Sequence, residues 1–287
     1  MTEPATHTLD VPGAVLTYDV REPATSSGAP PLFALGSPMA AGDFATLANL
    51  LDDRVVITYD PRGMERSTRT EGGPVTPETH ADDYHRVVEA VGLGQVDVFA
   101  SSGGALNALA WVAAHPGDLR TLVAHEPPLT SLLEDSETVA RVQADIVETY
   151  ERDGYGPAMA KFIQLVSYTG PLPDDYLDQS APDPAMFGLP TEDDGSRDDL
   201  LMANMRTLPE FVPEADALRE SGVRIVPATG SEGEGTVARR GGEALAALLG
   251  LRAAQFPGGH GGFVVNAWSP DNDPTPFAAR LREVLAG

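Results

Sequence analysis

The sequence predicts an α/β domain, a mostly parallel β-sheet with helices on both faces, that carries a helical insertion. Three observations support this. Short apolar runs alternate with longer helical patterns, as successive βαβ units require. Between residues 96 and 114, an apolar strand passes through Ser101-Ser102-Gly103-Gly104 directly into an Ala/Leu-rich helix. The alternation also pauses near residue 130 and resumes near 216, which divides the 287 residues into a core (1–130), a helical insertion (131–215) and a second core part (216–287).

Taken in order, Thr8–Val11 and Ala14–Val20 alternate around Pro12-Gly13 and read as an opening hairpin. Pro31–Leu35 is a short apolar strand that runs into Gly36-Ser37-Pro38. Asp43–Leu51 reads as a helix and Arg54–Tyr59 as a strand. Thr76–Val91 is a helix with Pro77 in its first turn and Gly92 beyond its end. Val96–Phe99 is a buried strand, the helix after it reaches Ala114, and Arg120–His125 is the next strand, ending at Glu126-Pro127-Pro128. The insertion has helical stretches near Ser136–Glu151, Gly156–Val166 and Asp198–Thr207, with an irregular Pro- and Asp-rich middle at Gly170–Gly195. Val223–Ala228 and Arg252–Phe256 then read as strands, and Thr236–Leu249 and Thr275–Leu285 as helices. There is no internal repeat.

Composition excludes several roles. Acidic residues outnumber basic ones 43 to 19, a formal charge of −24, which repels nucleic acid and anionic membrane surfaces. With no cysteine, disulfides, thiolate nucleophiles and Cys-ligated zinc are excluded. Met1–Asp10 lacks the basic and apolar regions of a signal peptide, and no run approaches the roughly 18 apolar residues of a membrane span. The expectation is a cytoplasmic protein that acts on a small molecule, with no nucleic-acid or membrane partner; its oligomeric state is not encoded in any visible pattern. His80 and His85, five apart on a surface helix, do not share a face as i, i+4 metal ligands would, so no metal site is expected there.

The strand–serine–helix junction carries the chemistry. A serine held on a sharp turn between strand and helix needs small residues two before and two after it. Ser102 has Ala100 and Gly104 at those positions, whereas Ser101 would place Phe99 in the crowded slot. Ser102 is therefore the candidate nucleophile. A hydroxyl needs a base to take its proton. His260, in Pro257-Gly258-Gly259-His260-Gly261-Gly262, sits on a glycine-flanked loop late in the chain and is the candidate base.

These residues resemble the α/β-hydrolase family, whose G-x-S-x-G elbow appears here with Ala100 in place of the first glycine. Asp60-Pro61-Arg62-Gly63-Met64-Glu65-Arg66-Ser67 is similar to that family's Asp-x-Arg-Gly-x-Gly-x-Ser turn, with Glu65 at the second glycine. Leu35-Gly36-Ser37-Pro38 is similar to its His-Gly-x-Pro loop, with Leu35 replacing the histidine. The resemblance implies an α/β-hydrolase fold with a cap insertion and an oxyanion hole formed by the backbone N–H groups of Ser37 and Gly103. It also implies a Ser-His-acid triad, and no cofactor. It leaves the acid open. Glu126 occupies one family position, after the strand that follows the elbow helix. The commoner position, after the strand that follows the cap, falls on Gly233, with Glu232 and Glu234 beside it as alternatives.

The implied activity is hydrolysis of a carboxylic ester or lactone. Met159, Phe162, Met186, Phe187, Met202 and Met205 in the insertion are candidates for an apolar pocket lining or for plain core. A serine nucleophile argues against haloalkane and epoxide chemistry, which need a carboxylate. The departures from the family pattern at Leu35, Glu65, Ala100 and Gly233 leave room for two rivals on the same fold: a lyase, cyclase or acyl-transfer enzyme of secondary metabolism, and a binding protein without catalysis.

Overall fold

The hairpin expected at the start is formed by β1 (Ala5–Val11) and β2 (Ala14–Arg21), and Gly13 takes the positive φ of +74° that the tight turn requires. The computed structural model describes residues 3–25, 27–70, 72, 74–266 and 269–287. The first core part continues with β3 (Leu32–Ser37), α1 (Ala45–Leu50), β4 (Val56–Asp60), β5 (Thr68–Arg69), α2 (Pro77–Val91), β6 (Val96–Ser102), α3 (Gly103–Ala114) and β7 (Leu119–His125). Between β7 and β8 the chain forms α4 (Ser136–Asp153), α5 (Tyr155–Ser167), α6 (Leu200–Met205) and α7 (Ala215–Glu220). It then closes with β8 (Arg224–Gly230), α8 (Val237–Leu249), β9 (Ala254–Phe256) and α9 (Thr275–Ala286).

One sheet runs β1-β2-β4-β3-β6-β7-β8-β9, with β5 beside β2. Pairing is antiparallel through the hairpin and between β2 and β4, and parallel from β4 to β9. Strand alternation sorts the core into two layers. Phe33, Leu35, Val98 and Ala100 face α2 and α3, where Tyr84 and Trp111 close on Phe33 edge-on. Leu32, Ala34 and Phe99 face α1 and α9, packing with Phe44, Phe263 and Phe277. The sheet is thus covered on both faces, as the apolar runs of its inner strands demand.

Three departures from the expected elements have physical causes. Strand β6 runs three residues past Phe99, because Ala100, Ser101 and Ser102 pair with Leu35, Gly36 and Ser37 of β3 and sheet pairing overrides their weak β-propensity. The helix expected from Asp43 begins instead as a 3-10 turn at Ala41–Phe44. Strand β5 and helix α7, of two and six residues, are too short to show periodicity.

The insertion has its own small core. Val142, Ile146 and Tyr150 of α4 meet Leu165, Met202 and Met205 there. Leu200 and Ala203 of α6 rest on Val75 and Met64, so the insertion sits against loops of the main domain. No helix among the described residues is long and apolar enough to cross a membrane.

Candidate active site

Strand β6 ends in a bend at Ser102, which takes φ 56° and ψ −133° before α3 begins at Gly103. A positive φ on a residue with a side chain is strained by about 1–3 kcal/mol and persists only where neighbours enforce it. Here they do. A Cβ on Gly104 would lie 2.5 Å from Gly36 Cα, and one on Gly103 would lie 2.6 Å from the Ser37 carbonyl oxygen. Only glycines let α3 start this close to the end of β3. The two serines part company at this bend. Ser101 is fully buried, its hydroxyl 3.3 Å from Nδ1 of the equally buried His125. Ser102 remains partly exposed at the C-terminal edge of the sheet.

The neighbouring strand ends in a second strained residue. Ser101 is in register with His125, so Glu126 follows β7 alongside Ser102, and Glu126 adopts φ 47°. Its backbone N–H donates to the Ala228 carbonyl at 2.9 Å, which turns the buried carboxylate along the sheet edge. There Oε1 accepts from the Gly230 N–H at 2.9 Å, and Oε2 lies 2.7 Å from His260 Nδ1. The acid's loop is pressed in place by α8, where a Cβ on Gly241 would stand 2.1 Å from the Pro127 carbonyl oxygen.

Burial opposes the charge on Glu126, but the bonds from His260 and from the Gly230 N–H outweigh it. The carboxyl is held below its ordinary pKa. His125, wholly buried beside the pair, is pushed down to about 3 by desolvation against the attraction of Glu126, and is neutral at physiological pH. His260 itself keeps 45% of its side chain exposed. The other two carboxylates considered from the sequence, Glu232 and Glu234, lie exposed on the turn after β8. The carboxylate partner of His260 is Glu126.

On the other flank of β6, Ser37 ends β3 in register with Ser102, and the Ser37–Pro38 bond is cis. Asp60 ties the following residues to the turn after β4: Oδ1 accepts from Ala41 N at 2.9 Å and Oδ2 from Arg66 Nε at 2.6 Å. Arg62 of that turn forks onto Asp83 of α2 with bonds of 2.8 and 2.6 Å. Glu65 sits there at φ 45°, which explains why a glycine suits this position. Two residues at this flank are not visible from the sequence as part of a site. Asn204 of α6 and His80 of α2 are both buried and linked to Ser37 by hydrogen bonds. The expectation that His80 lies on a surface is corrected: the insertion covers that face of α2. Met202 and Met205 belong to the core of the insertion, Met159 and Phe162 lie half-buried at its margin, and Met186 is exposed.

Among the described residues, two trios have donor atoms close enough to share an ion, His125-Glu126-His260 and His85-His115-Asp118. In the first, Glu126 and His260 already bond each other. In the second, the imidazoles stack at 3.9 Å and 7°, so their in-plane lone pairs run parallel rather than converging.

Residues 32–204 match the model of a family described as the alpha/beta hydrolase fold. The chain is 30% identical over 286 residues to the uncharacterised hydrolase YraK of Bacillus subtilis (strain 168), covering 97% of this chain and 95% of that one. Among solved structures it is similar to a thermophilic esterase from Thermogutta terrifontis (TM-score 0.66, 18% identity, 99% of this chain and 97% of that one). It is also similar to the proline iminopeptidase of Mycobacterium smegmatis (TM-score 0.62, 20% identity, 98% of each chain). At such identities these two likenesses speak for the fold alone.

Proposed function

The chain belongs to the α/β-hydrolase family, and from that premise we propose that it is a serine hydrolase cleaving a carboxylic ester or lactone of a largely apolar small molecule. The observation that carries this reading is the 2.7 Å pair of Glu126 and His260 on the same sheet edge as the strained, partly exposed Ser102.

In this reading Ser102 Oγ attacks the carbonyl carbon while His260 Nε2 takes its proton. Glu126 accepts Nδ1–H, which fixes the tautomer and stabilises the imidazolium that forms. The carbonyl oxygen, now negative, is met by the backbone N–H groups of Gly103, first in α3, and of Ser37. His260 then returns its proton to the leaving alkoxide. A water activated by the same imidazole hydrolyses the acyl-enzyme, releasing the acid and free Ser102. The insertion between β7 and β8 acts as the cap.

A panel of p-nitrophenyl esters of increasing acyl length tests this. The expected result is turnover whose kcat/KM rises with acyl length and which Ser102→Ala abolishes. Turnover that survives in Ser102→Ala would overturn the assignment of the nucleophile.

A further inference from the structure

The Ser37 hydroxyl is buried, and its oxygen accepts a hydrogen bond from Asn204 Nδ2 at 2.8 Å. The other end of that amide, Oδ1, lies 3.1 Å from His80 Nε2. With Asn204 Nδ2 placed on Ser37, the directions of donation follow. An amide nitrogen only donates, so Oδ1 must accept, and His80 must carry its proton on Nε2. A neutral ring meets this requirement. Burial, joined by the positive charges of Arg62 and Arg69 against the bond to Asn204, pushes His80 down to about 4. The remaining ring nitrogen, Nδ1, is buried and has no partner among the described residues.

The chain His80–Asn204–Ser37 therefore has one polarity and ends at a hydroxyl. A hydroxyl that accepts from Asn204 must direct its own proton elsewhere, and among the described residues nothing accepts it. Ser37 stands opposite Ser102 in the β3–β6 register, and its Cβ would be 3.6 Å from a Cβ placed on Gly103. The Ser37 side chain thus stands beside Gly103, the residue that follows Ser102. Each residue of the chain comes from a different part of the fold: β3, α6 of the insertion, and α2.

We propose that the Ser37 hydroxyl is a third donor to the oxyanion, aimed by Asn204, a positioning residue supplied by the insertion and oriented by His80. This rests on the reading above that Ser102 is the nucleophile. It follows that the oxyanion site is complete only when α6 is seated on the main domain. The insertion would then contribute to the rate as well as to substrate fit.

The test compares wild type, Ser37→Ala, Asn204→Asp and the double variant, using p-nitrophenyl ester turnover and the rate of inactivation by a fluorophosphonate. Ser37→Ala keeps the backbone N–H and removes one oxygen. It should lower kcat about 10²-fold with little change in KM, as expected for a donor used only in the transition state. Asn204→Asp keeps the shape but turns a donor into an acceptor. Its carboxylate draws the Ser37 proton away from the site, so the loss should match that of Ser37→Ala. The double variant should then be no slower than Ser37→Ala alone, because Asn204 acts only through that hydroxyl. A merely structural role for Asn204 would instead give losses that multiply, and that result overturns the proposal. So does a Ser37→Ala rate within about 3-fold of wild type, a result that stands even if Asn204→Asp fails to fold. Ser102→Ala separates the two levels. If it retains turnover, the nucleophile reading fails. If it is dead while Ser37→Ala is unimpaired, only this inference fails.

Discussion

Two histidines flank the end of strand β6, and they live in opposite environments. On the β7 side, His260 is nearly half exposed and bonds a carboxylate at 2.7 Å. On the β3 side, His80 is 1% exposed and bonds an amide at 3.1 Å, held neutral by burial. The contrast separates two jobs. A group that moves a proton needs a nearby countercharge and room to become charged, and His260 has both. A group that orients a dipole must keep one protonation state, and burial away from any carboxylate bond gives His80 that constancy. In the proposed mechanism His260 changes charge during the reaction, whereas His80 resists changing it.

The comparison breaks most easily at Glu126. If it orients His260, Glu126→Gln should fold normally yet lose kcat by up to about 10⁴-fold, since an amide favours the wrong imidazole tautomer. Glu232→Gln and Glu234→Gln, on the exposed turn, should cost little. Saturating substrate is needed in this assay so that a disturbed insertion raising KM is not mistaken for lost chemistry.

Acid should expose the two buried histidines, one on each flank. His80 and His125 are held at about 4 and about 3 in the folded protein, below their unfolded value of 6.5. Between those values the unfolded chain binds more protons, so stability is fully present above pH 6.5 and falls as pH drops below it. Each histidine contributes a slope of about 1.4 kcal/mol per pH unit. The lowered Glu126 adds no loss in the upper part of this window, because its contribution disappears only as pH falls through its depressed value. Urea titrations between pH 6.5 and pH 4.5 should show His80→Gln losing about one such slope relative to wild type. An unchanged slope would mean that His80 is not buried neutral.

The smallest expected effect concerns the turn that braces Ser37. Glu65→Gly relieves a φ of 45° and should raise stability by about 1 kcal/mol without altering kcat, as measured by denaturant unfolding and ester turnover. Loss of stability would show that the Glu65 side chain stabilises the turn by more than its backbone strain costs.

Much of the fold was legible because its inner strands are apolar on both faces and its helices are long enough to show a period. Ser102 stood out by sterics, and His260 by the glycines around it. Glu126 was visible only as one of three carboxylates, because what distinguishes it is three-dimensional: a backbone bend at positive φ and a bond to Gly230, 104 residues away. Asn204 was not legible at all. It lies in a six-residue helix, Leu200–Met205, whose composition reads as core, and its partner is 167 residues distant. His80 looked like a solvated helix residue because the surface that buries it belongs to a segment more than a hundred residues further along the chain.

The most direct test of the account is to find where a fluorophosphonate attaches. After labelling the wild-type protein, peptide mass mapping should place a single adduct on Ser102, and Ser101→Ala should label as wild type does. An adduct on Ser101, whose hydroxyl points at buried His125, or labelling that persists in Ser102→Ala, would contradict it.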